Sequence, residues 1–112
     1  MQEHELPKSV KKALRSLCHL AHEAALRRAL EELSQDVDRW KLAKIDSFEL
    51  ADRIHEFHDG PNREIYLRYT SRANLCLLVS HAVHEGLIPK DSVPKEAFPY
   101  LENRLSFLRE PQ

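Results

Sequence analysis

Three times the chain sets two histidines three residues apart with an acid directly after the second: His19, His22 and Glu23; His55, His58 and Asp59; His81, His84 and Glu85. Neutral imidazoles at this spacing share one side of a helix. Two helices that each present a pair, with a carboxylate nearby, can enclose Zn or Fe. His55, His58, His81, His84 and Asp59 are therefore the candidate metal ligands, and a metal-dependent hydrolase is one functional reading. The spacing differs from established metal motifs. The metalloprotease pattern His-Glu-x-x-His separates its ligands by a full turn, whereas His55 and His58 are one residue closer. The di-iron bundle needs two Glu-x-x-His segments and two further Glu, and this set is absent. The competing reading makes these residues surface and capping histidines, with His58 near a helix C-terminus where the dipole favours its charged form.

The densest polar cluster surrounds the second pair, in HEFHDGPNRE. Here His58 could act as a base and Arg63 as an anion clamp. Asp59, Gly60, Pro61, Asn62 and Arg63 also read as a structural corner. Gly60 suits a left-handed helix cap and Pro61 suits the first turn of the next helix, which makes the flanking helices an antiparallel or steeply crossed pair. A basic row, Lys8, Lys11, Lys12 and Arg15, continued by His19 and His22, offers an anion or nucleic-acid surface. It is equally the solvated side that an amphipathic helix requires. No Ser-His-Asp arrangement, Cys-His pair or phosphate-cradling Gly loop is present.

The elements that would position these groups begin with residues 8–40. Val10, Ala13, Leu14, Leu17, Ala21 and Ala24 recur on one side of a helix, flanked by Cys18, Leu20 and Ala25. A second apolar set, Leu26, Ala29, Leu30, Leu33, Val37 and Trp40, has the same spacing but starts about 160° further round. No Gly or Pro interrupts the stretch. A continuous helix would run about 48 Å, longer than the roughly 35 Å breadth of a compact body of this size. One half must then project with an apolar stripe exposed. This predicts a homodimer whose interface is Leu26, Leu30, Leu33, Val37 and Trp40. The alternative is a kink near Ala25 that folds both halves into a monomeric bundle.

Further helices are expected at about 47–58, capped by Asp46 or Ser47, at 62–85, stopped by Gly86 and Pro89, and at 94–109. The whole reads as one all-α domain, a bundle of about four helices. With 42% hydrophobic and 31% charged residues, 112 residues suffice for a modest core, and a net charge of −1 provides no general attraction for nucleic acid. No apolar run of membrane-spanning length and no leader sequence is found. The two cysteines, Cys18 and Cys76, lack redox or metal spacing, so the expectation is a cytoplasmic protein without membrane association. The segment IHEFHDGPNREIYLRY, within about residues 46–88, resembles small uncharacterised bacterial proteins. That resemblance implies a prokaryotic helical protein without an assigned activity, and it transfers no functional residue. Taken together, the sequence predicts a binding or regulatory module that self-associates through its first helix, rather than an enzyme.

Overall fold

The computed structural model describes residues 6–70 and 74–101. Lys8–Lys41 form one unbroken helix of 34 residues, α1, with Pro7 as its N-cap. Proline suits this place because the first helical amides have no intrahelical acceptor. The molecule measures 53 × 28 × 24 Å, and its long dimension is essentially that of α1. The helix ends in a Schellman turn in which Lys44 N–H donates to the Arg39 carbonyl at 2.9 Å and Ala43 N–H to that of Trp40 at 3.0 Å. Ala43 sits at φ 58°, the left-handed position that glycine usually fills.

Helix α2, Ser47–Phe57, begins where the Asp46 carboxylate accepts the Glu49 amide at 2.8 Å. The sequence predicts that α2 stops at Gly60, and the structure corrects this. His58–Asn62 form a single π-helical turn that leads straight into α3, Arg63–Thr70. Phe57, His58 and Arg63 all have right-handed helical dihedrals, and Gly60 has no positive φ. The cause is Pro61, which cannot donate to the preceding turn and whose ring would clash within regular α geometry. Widening the turn by one residue accommodates the ring without ending the helix. The expected corner is thus a bent rod, and α2 and α3 are in line rather than antiparallel.

The expected helix at 62–85 is divided. Asn74 is extended (φ −65°, ψ 123°) and its side chain accepts the Leu77 amide at 3.2 Å, which starts α4, Leu75–His84. A short amide side chain is worth more as a cap than inside a helix, where it competes with the backbone. Helix α4 closes as its sequence predicts. Gly86 lies at φ 77°, and Leu87 N–H reaches the Ala82 carbonyl at 2.9 Å. Two 3-10 turns follow, Lys90–Ser92 and Lys95–Ala97, each set by a preceding proline. Residues 98–101 are helical, and the rest of the expected helix at 94–109 lies outside the described residues.

The core lies at one end of α1. Leu6, Val10, Leu14, Leu17 and Ala21 pack with Cys76, Val79 and Ala82 of α4 and with Ile88, Val93, Ala97 and Leu101. Ser80, also fully buried, satisfies its hydroxyl on the Cys76 carbonyl at 2.7 Å. The second half of α1 carries the α2–α3 rod, which runs antiparallel to it. Trp40 Nε1 donates to Ser47 Oγ at 3.0 Å, Arg53 bridges to Asp36 at 3.1 Å, and Ala25 and Arg28 share a hollow with Ile65 and Arg68.

The three turn positions carry opposite signs. Gly60→Ala should stabilise by about 0.5–1 kcal/mol, because Gly60 is helical and a Cβ there would meet nothing within 4 Å. Ala43→Gly should also stabilise, by about 1 kcal/mol, while Gly86→Ala should destabilise by a similar amount. Chemical denaturation measures all three. A destabilising Gly60→Ala would restore the left-handed cap and reject the continuous rod.

Candidate functional site

Between Ala21 and Tyr69 a single residue, Leu50, is buried among those described. The second half of α1 and the α2–α3 rod therefore make a two-helix layer with almost no interior of its own. Of the expected interface residues, Leu33 lines the groove between α1 and α2 with Ala29 and Phe57, and Trp40 is tied to Ser47. Leu26 and Val37 are half-buried, and Leu30 is 45% exposed. Helical geometry sets Leu26, Leu30 and Val37 on the flank of α1 away from Glu32 and Asp36. Because α2 runs antiparallel, Ile54, at 46% exposure, lies on the matching flank of α2, away from Arg53 and Glu56. The opposite flank is polar and is latched by charge. Asp36 pairs with Arg39 and Arg53, and Arg53 also binds Glu49 at 2.7 Å. These carboxylates raise the Arg53 guanidinium above its usual range, chiefly through the Glu49 hydrogen bond and the charge of Asp36. The elbow joining the two helices carries Leu42 and Phe48, 68% and 84% exposed.

The histidines do not converge. His55 Nε2 lies 3.1 Å from Asp59 Oδ2, with both side chains open to solvent. His58 and Asp59 share a shallow hollow on the π turn with Asn62, Arg63 and Tyr66. His81 is on α4, and His84 is exposed at that helix's last turn. No group of three or more His, Cys, Asp or Glu among the described residues is placed to hold a metal ion. Lys8, Lys12 and Arg15 are exposed and Lys11 is half-buried along the first turns of α1. His22 departs from that row, because its ring stacks on Tyr69 at a centroid distance of 5.1 Å and an angle of 10°.

Tyr69 leads to a feature that the sequence does not announce. A cleft of about 250 Å³ opens between α3 and α4, lined by Arg68, Tyr69, Leu77, Leu78, His81 and Glu85. Its floor is apolar, and its rim carries Arg68 and Glu85, whose nearest charged atoms are 3.8 Å apart. The two residues stand seventeen apart in sequence, on separate helices, so no local pattern could have paired them.

Comparisons with family models, curated proteins and solved structures find no match to this chain.

Burial pushes the Tyr69 phenol above its ordinary value of 10.0, reinforced by Glu85 and Cys18 and opposed by Arg68. A phenol held more tightly in the folded state leaves the unfolded chain to lose its proton first. Stability should therefore fall as pH rises from about 10 to the folded value. Tyr69→Phe should flatten that alkaline limb relative to wild type in denaturation curves at successive pH values. An identical slope in both proteins would place Tyr69 in water.

Proposed function

We propose that this protein is a small helical binding module that works as a homodimer, with the α1–α2 layers of two copies apposed as an intermolecular four-helix bundle. The observation that carries this reading is the near absence of buried residues between Ala21 and Tyr69 on a layer whose one flank is apolar. A two-helix layer leaves an apolar side to water unless another layer covers it. A second copy is the fitting occupant. Leu26, Leu30 and Val37, which stay on the open flank of α1, stand four and seven residues apart, the helical spacing that lets one helix pack against its own copy.

Recognition in this reading is by packing. Leu26, Leu30, Val37 and Ile54 form the buried centre, and the charged latch of Asp36, Arg39, Arg53 and Glu49 stays on the outer side to hold α2 in register. No helix of the described residues is long and apolar enough to cross a membrane. The reading sets the protein in the cytosol, where Cys18 and Cys76, both unbridged, remain thiols.

Light scattering over a concentration series tests it. The expected mass is twice 13.1 kDa. Leu30→Glu should leave the helical fold intact, since Leu30 is already half open in one chain, yet raise the dissociation constant at least about a hundredfold. Leu14→Ala should behave oppositely. Leu14 is fully buried in the core, so its loss should cost about 2–5 kcal/mol of stability and leave the interface residues in place. A wild-type chain that stays monomeric at high concentration would reject the proposal.

A further inference from the structure

The hollow on the π turn gathers polar groups that neither the core nor the dimer face uses. His58, Asp59, Asn62, Arg63 and Tyr66 line a volume of about 450 Å³, within the range of small-molecule sites. His58–Asn62 is the π turn itself, and single widened turns of this kind recur at functional sites. None of the five residues belongs to the apolar set at the centre of the proposed dimer.

The pairing of these side chains sets what they can offer a ligand. Asp59 and Arg63 stand four apart, the spacing at which an acid and a base pair along a regular helix. Here Asp59 turns the other way, and its Oδ2 lies 3.1 Å from His55 Nε2. The Arg63 guanidinium therefore has no ion pair or hydrogen bond among the described residues, whereas Arg27, Arg39 and Arg53 each pair with a carboxylate. The side chains of His58 and Asn62 are likewise without a partner among the described residues.

These groups narrow the ligand class. A guanidinium presents five N–H donors in a planar fork that matches phosphate oxygens, and the Asn62 amide and the His58 ring add further donors. No aliphatic side chain lines the hollow, so an apolar tail would find nothing to pack on. Its one apolar surface is the ring of Tyr66, 60% exposed, which suits another flat ring. Asp59 only accepts, and it would repel an anion that brought no donors of its own. Sugar hydroxyls supply such donors.

We propose that this hollow binds a nucleoside monophosphate. The phosphate joins Arg63, with Asn62 and His58 as further donors, the base stacks on Tyr66, and the ribose hydroxyls donate to Asp59.

The test is titration of the full-length, isotope-labelled chain with adenosine 5′-monophosphate, followed by the NMR resonances of His58, Asn62, Arg63 and Tyr66. The expected result is saturable shifts at these residues. Arg63→Gln and Tyr66→Ala, both at exposed positions that leave the core untouched, should each weaken binding by at least about tenfold. Arg15→Gln, which removes an exposed arginine from the basic row of α1, should leave binding unchanged. Adenosine, which lacks the phosphate, and inorganic phosphate, which lacks the ring, should fail to saturate over the same range. The proposal is overturned if the nucleotide gives no saturable shifts, or if Arg63→Gln or Tyr66→Ala binds as wild type does. It is equally overturned if Arg15→Gln weakens binding as much, or if adenosine or inorganic phosphate binds as tightly as the nucleotide.

Discussion

Backbone continuity through α1 is the constraint on which the rest of the structure depends. A helix without Gly or Pro from Lys8 to Lys41 has no place to bend, so its two apolar faces cannot be brought to one core. Summed over its whole length the helix has almost no preferred apolar side, because the faces of its two halves oppose each other. Each half must find its own cover. The first half finds it at home, in α4 and the segment from Ile88 to Leu101. The second half finds part of it in the α2–α3 rod, and the remainder is the surface that we propose a second copy covers.

The rod is itself a consequence of that demand. A sharp corner at Gly60 and Pro61 would have sent α3 away from α1 and left Ala25, Ala29 and Ile65 without neighbours. With the π turn, the chain stays helical and keeps alongside α1 until Thr70. The two regions of the molecule then meet where the His22 ring rests on Tyr69 and Arg68 faces Glu85. Arg68 and Glu85 separate two hollows, one toward Leu77 and Leu78 and one toward Ala25 and Ala29. The first of these hollows lies between α3, which belongs to the projecting layer, and α4, which belongs to the core.

Much of this architecture is legible in the sequence because it rests on periodicity and on caps. The change of face near Ala25, the cap at Asp46 and the Gly86 stop all follow from side-chain spacing or from a single residue's dihedral preference. The misreadings have physical causes of their own. Gly-Pro reads as a stop because an α-helix does not tolerate it, yet a π turn does, and the choice between them is made by packing against α1 rather than by the local residues. Asn74 stands directly before the apolar run Leu75–Val79, where a short amide can cap a new helix, but helical spacing that carries on across it from Tyr69 masks that signal. Repeated histidine pairs suggested a ligand set, but a pair on one helix has meaning only if another helix brings its own pair to the same point. The α2–α3 rod and α4 do not bring these pairs together. The cleft was illegible altogether, since its charges and its apolar floor come from two helices whose relative placement no sequence period encodes.

The central claim, that one helix serves two separate environments, is tested most directly by amide hydrogen exchange along α1 as a function of protein concentration. The account predicts that amides from Val10 to Ala21, covered by the chain's own core, exchange at rates independent of concentration. Those from Leu26 to Val37 should become steadily more protected as concentration rises through the dimer range. Protection of both halves that is equal and independent of concentration would contradict it, and would mean that the chain covers its second apolar face by itself.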